Sequence, residues 1–400
     1  MTEENGGNEP ERAGRYILQP AGYRAFIPAQ LPPRPPVRIT SRMQTLLSAA
    51  DRALGRLDGA IHTLPESDLF TLMYIRKEAV LSSQIEGTQS SLQDVLAAEA
   101  RLLSPRSPGD EGDVINYVAA MNYGLERLQD LPLSVRLIRE IHEKLLHGIR
   151  GGRLAPGELR QTQNWIGAPG STVHDAVFVP PPFHEVPRAL GNLETFLHRT
   201  DDGIPPLVRV GLAHAQFETI HPFLDGNGRI GRLLITFFLC NRDILSKPVL
   251  YISYFFKRHR TEYYERLQAV RDAGDWEGWL AFFLRGVAEV GNEAVRTARR
   301  VLDLREGHRA VVTSHLGRAA GNGHRLLEAL YREPVVTVSR VQEIAEIRYQ
   351  AANTLVARLV ALGLLEEISG RKRNRAFLYR DYIRIFADDP ENTASSSAAL

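Results

Sequence analysis

The 400-residue chain is 44% hydrophobic and 24% charged with a net charge of +2, values of a soluble globular protein of about two to three domains that exclude a general electrostatic attraction to nucleic acid or membranes. Its single cysteine, Cys240, excludes an internal disulfide framework and fits a reducing cytoplasm. The longest apolar run, Leu233 to Cys240, is too short to span a bilayer, and the N-terminus lacks a signal-peptide core, so a cytoplasmic location without membrane contact is expected.

Residues 1–37 read as a disordered, proline-rich segment that runs into "LPPRPPVR". Residues 38–110 read as a helical region. In it "MQTLLSAADRALGRL" puts Leu46, Leu47, Ala50, Leu54 and Leu57 on one stripe. A second helix starts near Ser67 or Asp68 and runs through "LFTLMYIRKEAVLSSQI", where Gly87 can end it. Residues 111–300 stay helical in pattern, with stripes in "VINYVAAMNYGLERL", "SVRLIREIHEKLLHGI" and "WEGWLAFFLRGVAEV". The exception is "QNWIGAPGSTVHDAVFVPPP" at 163–182. Its strand-like flanks, Gln163 to Ile166 and Ala176 to Val179, are separated by Gly167, Pro169, Gly170 and Ser171, which predicts a β-hairpin.

A linker is expected at 301–323 and a second domain at 324–386. The latter holds a short helix stopped by Pro334, a second with Ser339 as its N-cap, and a third closed by Gly363. Strands in "LLEEI" and "AFLY" then flank the basic "SGRKRNR". This order predicts a winged helix-turn-helix, with Gln350, Asn353 and Arg358 facing DNA and Arg371, Lys372, Arg373 and Arg375 on the wing. Dimerisation or partner docking is the other use of such a module. Residues 387–400 read as a disordered tail. The expected class is therefore mainly α: a helical core with a β-hairpin, followed by a small winged helix domain.

The stretch "FETIHPFLDGNGRIGRLLITFFLC" contains a literal G-x-G-x-x-G. A dinucleotide-binding fingerprint needs a strand before its first glycine, whereas Leu207, Val210, Phe217 and Ile220 recur with helical spacing. The order is helix, glycine-rich loop, helix, which still suits an anion nest. Gly226, Gly228 and Gly231 allow close approach of phosphates, and Asn227 adds an amide donor. Arg229 and Arg232, three apart, share one helical face. Asp225 is an oxygen ligand suited to Mg²⁺ on a polyphosphate, and His221 is the nearest group able to take a proton at neutral pH. Other sites fail on spacing. The histidines of "HEKLLH" are five apart, His214 and His221 lack a third metal ligand, and neither a P-loop nor G-x-S-x-G occurs.

"HPFLDGNGRIGR" resembles the signature of the Fic family at His221, Phe223, Asp225, Gly226, Asn227, Gly228, Arg229 and Arg232, and the likeness extends over about 38–382. The resemblance implies a Fic-type helical core that transfers AMP from ATP to a hydroxyl of a target protein. His221 would be the base, Asp225 the Mg²⁺ ligand, and Asn227 with the glycine amides the stabiliser of developing charge. Arg229 and Arg232 would hold the leaving phosphates. The hairpin resembles the family's flap, whose Gln163, Ile166, Val177, Phe178 and Val179 would hold a target segment as an added strand. "SSQIEGTQSS" resembles the family's inhibitory segment, in which Ser82 and Glu86 lie on one face and Glu86 would pair with Arg232. The implied partners are ATP and an unknown protein, the chain itself included; DNA binding and homodimer formation stay open. AMP removal, transfer of another phosphate-linked group, and a DNA-binding regulator with a nucleotide-sensing core remain as alternatives.

Overall fold

The computed structural model describes residues 12–63, 67–99, 110–148, 155–168, 170–370 and 374–387. The described chain opens with an antiparallel hairpin, β1 (Gly14–Leu18) and β2 (Arg24–Pro28), in register from Gly14↔Pro28 to Leu18↔Arg24. Within the segment expected to be disordered, residues 12–37 are thus folded. Ala13, Phe26 and Leu31 are buried, the Phe26 amide donates to the Val179 carbonyl at 2.9 Å, and Gln216 donates to the Ala29 carbonyl at 2.7 Å. Apolar residues at Tyr16, Phe26 and Phe178 give the hairpin a face to bury, which outweighs the polar composition around it.

Helices follow: α1 (Ser41–Thr63), α2 (Ser67–Ile85), α3 (Leu92–Glu99), α4 (Glu111–Arg127), α5 (Val135–Leu145), α6 (Val186–His198), α7 (Pro206–Ile220), α8 (Asn227–Asn241), α9 (Ser253–Arg258) and α10 (Arg260–Ala273). Next is α11 (Trp276–Leu316), a 41-residue helix along which α1 packs. Its buried Trp276, Trp279, Phe283, Val287, Val290, Ala294, Ala298 and Val301 recur every three or four residues. The expected linker at 301–323 does not exist as such. Val301, Val312 and Leu316 continue the buried stripe with helical spacing, so the helix runs on to Leu316.

Beyond it lie α12 (Ala320–Leu330), β3 (Val335–Thr337), α13 (Val338–Ala345), α14 (Tyr349–Ala361), β4 (Glu366–Glu367), β5 (Ala376–Leu378) and α15 (Arg380–Ala387). The strands form an antiparallel sheet in the order β3-β5-β4. Thr337, not Ser339, caps α13, because its side chain accepts from the Arg340 amide at 3.2 Å. Two of the residues assigned to DNA are engaged within the chain: Asn353 accepts from Arg375 at 2.8 Å and Arg358 donates to the His315 carbonyl at 2.6 Å. Gln350 is exposed, and Arg371, Lys372 and Arg373 lie outside the described residues, as does the tail from residue 388.

At the centre sits α7, buried at every residue from Leu207 to Ile220. Its polar side chains therefore need partners. Arg209 donates to the Phe196 carbonyl and pairs with Asp202. His214 donates from Nδ1 to the Gly231 carbonyl at 2.8 Å and accepts at Nε2 from Tyr263, and burial lowers it to about 3. That histidine ties α7 to α8 and binds no metal. Among the described residues, no helix is long and apolar enough to cross a membrane.

Candidate active site

The loop between α7 and α8 is shaped by Pro222, which disfavours helical geometry in the residue before it. His221 ends α7, in the left-handed region at φ 49°. Two arginines satisfy the carbonyls left at this helix end. Arg160 donates to the carbonyls of His221 at 2.9 Å and Ile220 at 3.4 Å, and Arg271 donates to that of Glu218 at 3.2 Å. Both are buried, and both had passed unnoticed in the sequence. The clue to Arg271 is its place on the buried stripe of α10 with Tyr263, Leu267 and Val270.

Asn227 then closes the loop. Its Oδ1 accepts from the Phe223 amide and its Nδ2 donates to the Phe223 carbonyl, both at 2.8 Å. Buried, with Oδ1 accepting and one Nδ2 hydrogen donating within the loop, Asn227 holds the loop's shape. Phe223 stacks on His142 of α5 with ring centroids 3.7 Å apart and planes 9° apart. The His142 Nδ1 accepts from Gly157 at 2.8 Å, so Nε2 carries the proton and donates to the Asp225 carbonyl at 3.1 Å. Burial lowers His142 to about 4, which keeps this tautomer neutral. Sequence reasoning missed this support. Its signal is a histidine inside the apolar stripe Ile138, Ile141, Leu145.

The three glycines serve three purposes. Gly226 takes φ +75° as the N-cap of α8. The first intrahelical bond runs from Ile230 to Gly226 at 3.0 Å, so the amides of Asn227, Gly228 and Arg229 lack intrahelical acceptors, the arrangement an anion nest requires. A Cβ on Gly228 would collide with Glu86 Oε1 and lie 2.9 Å from Arg232 Nη1, which makes this the glycine of close approach. Gly231 is different. A Cβ there would collide with Glu218 Oε1, so its bareness serves the packing of α8 on α7, not phosphate approach.

Charges converge on this nest. The Asp225 side chain is 46% exposed, its Oδ1 accepts from the Gly226 amide at 2.6 Å, and it lies 3.6 Å from Arg229 Nη2. Arg229 is buried and its Nε has no partner. Arg232 is buried and fully engaged: Nε donates to Ser82 Oγ at 2.8 Å, and Nη2 to the Ser82 carbonyl at 3.0 Å and Glu86 Oε1 at 2.7 Å. Partial withdrawal from water opposes charge on Glu86, but the Arg232 guanidinium and its hydrogen bond hold the carboxyl below its usual range. Burial lowers the His221 imidazole to about 4, and the Arg271 and Arg160 charges act in the same sense. His221 is thus neutral, with Nδ1 buried, and its contact with the Glu218 backbone carbonyl acts only weakly in the opposite sense. Glu218, one turn before it, is pushed up to about 7 by burial.

The hairpin expected at 163–182 reduces to a single antiparallel bridge, Ile166↔Phe178. Its second arm cannot be a free strand, because Val179 already accepts from Phe26 of β2. Phe178 and Val179 are buried, and the Phe178 ring lies under the Arg271 guanidinium at 3.9 Å. Of the five flap residues singled out, these two face inward, and Gln163 is engaged with the Pro180 carbonyl at 2.9 Å. Val177 is 68% exposed and Trp165 is 42% exposed, so they are the flap's outward apolar groups. Asn164 fastens the flap to the loop by donating to the Phe223 carbonyl at 2.9 Å and that of His221 at 3.3 Å.

The helical core has its counterpart in known proteins. The Fic/DOC family N-terminal description matches residues 44–126 and the Fic/DOC family description matches 132–239. Two stretches within residues 44–239 thus match the Fic family. The chain is 26% identical to the protein adenylyltransferase Fic of Drosophila grimshawi over 284 residues, 68% of this chain and 52% of that protein. It is 28% identical to that of Aedes aegypti over 214 residues, 51% of this chain and 38% of that protein. The chain thus spans about half the length, or less, of these relatives. A solved Fic family protein from Desulfovibrio desulfuricans shares the fold at a TM-score of 0.56 with 21% identity, covering 86% of this chain and 97% of that one.

Proposed function

We propose that this chain is a protein adenylyltransferase, transferring AMP from ATP to a side-chain hydroxyl of a protein and held back by Glu86. The observation that carries the reading is the meeting of a neutral, half-buried His221 with an anion nest and two arginines, one of them engaged by Glu86. His221 takes the proton of the attacking hydroxyl, whose oxygen bonds to the α-phosphorus as pyrophosphate leaves. The amides of Gly228 and Arg229 receive charge that develops on the phosphoryl oxygens, and the Arg229 and Arg232 guanidinia hold the departing phosphates. Asn227 acts at one remove, by fixing the loop.

Asp225 is a half-exposed carboxylate oxygen donor beside the nest, and among the described residues no cluster of three ligands is present. That donor set fits a hard cation shared between one carboxylate and a polyphosphate, and does not fit a closed metal cage. Bound there, Mg²⁺ would supply charge neutralisation of the α- and β-phosphates.

A second reading, removal of AMP, is favoured by the action of the Glu86 charge on His221. A carboxylate and a neutral histidine at one site can orient and deprotonate a water.

ATP labelled at the α- or the γ-phosphate separates AMP transfer from phosphorylation. Incubation with whole-cell protein is expected to give protein-bound label from the α-position alone. Label retained from the γ-position would overturn the reading.

A further inference from the structure

Ser82 and Glu86 are not the only polar groups that α2 carries on its Arg232 face. Glu78 lies four residues before Ser82 and eight before Glu86, hence on the same side of the helix. It is 2% exposed, deep between α2, α4 and α9. Its Oε2 accepts from the backbone amide of Ser253, the first residue of α9, at 3.1 Å. Its Oε1 accepts from the hydroxyls of Ser253 and of Tyr117 on α4, the latter at 3.4 Å. Tyr117 also lies near Ser82, whose hydroxyl receives Arg232 Nε at 2.8 Å.

A buried polar cluster therefore links the start of α9, Glu78 and Tyr117 to the part of α2 that holds Arg232. Such a network is retained against a desolvation penalty that an apolar side chain would avoid. Burial pushes Glu78 up to about 7, and the Ser253 donors, Arg232 and Tyr117 pull the other way. Glu86 itself sits just past the end of α2, and its side chain is 39% exposed. A partly exposed ion pair at a helix end holds its geometry poorly when left to itself. The anchor two turns earlier is what fixes it.

We propose that Glu78 is a positioning residue of the inhibitory helix, locking α2 to α9 and Tyr117 so that Ser82 and Glu86 stay seated on Arg232. This rests on the reading above in which Arg232 is a phosphate-binding arginine that Glu86 occupies. It assigns the helix a second carboxylate that never meets nucleotide and governs whether the first one does.

The test is the ratio of ATP affinity to AMP affinity, measured by calorimetry on full-length wild type, Glu86→Gly, Glu78→Gln and the double variant. AMP lacks the phosphates that Arg232 would hold, so the ratio isolates release of that arginine from any general change in the fold. Glu86→Gly is expected to raise the ratio about tenfold or more, the effect of regaining one charged hydrogen-bonded contact. Glu78→Gln is expected to raise it about three- to tenfold, and the double variant no further than Glu86→Gly alone, because both act on one contact. A merely structural role would lower the melting temperature and leave the ratio alone. A folded Glu78→Gln with the wild-type ratio, beside a raised ratio in Glu86→Gly, overturns the proposal. An unchanged ratio in Glu86→Gly instead removes the inhibitory reading beneath it. Tyr117→Phe keeps the carboxylate, breaks the same cluster and is expected to raise the ratio too; the wild-type ratio in that variant also overturns the proposal.

Discussion

Arg232 Nη2 lies 2.7 Å from Glu86 Oε1, and the arginine's side chain is 1% exposed against 39% for the glutamate. The buried partner is the one that the phosphates would need, and the accessible partner is the one that can leave. Glu86→Gly is therefore expected to raise AMP transfer at ATP concentrations below saturation by about tenfold to a hundredfold, the worth of one charged hydrogen-bonded contact. Arg232→Ala should abolish the gain when combined with it. Equal rates for wild type and Glu86→Gly would show that the contact does not restrain the enzyme.

His221 is held at about 4 instead of its usual 6.5, chiefly by burial. A base is active when neutral, so the transfer rate of Glu86→Gly should stay level from pH 7.5 to about 5.5 rather than fall through 6.5. His142, also lowered to about 4, adds a stability term that is complete above the unfolded-state value of 6.5 and lost as pH falls toward 4. Melting temperatures across that window should drop on the acid side, and less so in His142→Phe. A rate that halves near pH 6.5 would contradict the half-buried, neutral base.

Much of this site was legible in twelve residues, because spacing alone puts Asp225, Gly228, Arg229 and Arg232 around one loop. The Ser82–Glu86–Arg232 contact followed from the i, i+4 rule and the family likeness together. What spacing could not distinguish was direction. Asn227 and Gly231 look like further phosphate groups in one dimension, yet Asn227 turns back to Phe223 and Gly231 turns toward Glu218. The supports from distant segments, His142, Arg160, Asn164 and Arg271, have no local signature beyond a polar residue on a buried stripe. At the fold level, proline content around residue 31 masked the hairpin β1–β2. The linker expected at 301–323 falls largely inside α11.

Asp225 is the candidate cation ligand, and the nearby Arg229 cannot replace it. Asp225→Ala should shift the Mg²⁺ dependence of transfer to higher concentration while leaving the fold unchanged, since the side chain is half-exposed. A superimposable Mg²⁺ titration for wild type and variant would place the cation elsewhere.

Adjacent flap residues should separate stability from docking. Phe178→Ala removes a buried ring between Phe26 and Arg271 and is expected to destabilise the protein by about 3–5 kcal/mol. Val177→Ala, at a 68% exposed position, should change stability by less than about 0.5 kcal/mol while reducing labelling of a protein target. Urea unfolding midpoints compared with labelling rates decide the matter. A Val177→Ala protein that unfolds early but labels normally would reverse the assignment.

Intact-mass spectrometry reads most directly whether AMP is transferred with His221 as the base once Glu86 is gone. Glu86→Gly and Glu86→Gly/His221→Ala are each incubated with ATP and Mg²⁺, alone and in lysate. The account predicts AMP adducts, on the chain itself or on a lysate protein, with Glu86→Gly, and a loss of about 10²–10⁴ in rate with the double variant. No adduct from Glu86→Gly, or adducts formed equally fast without His221, would contradict it.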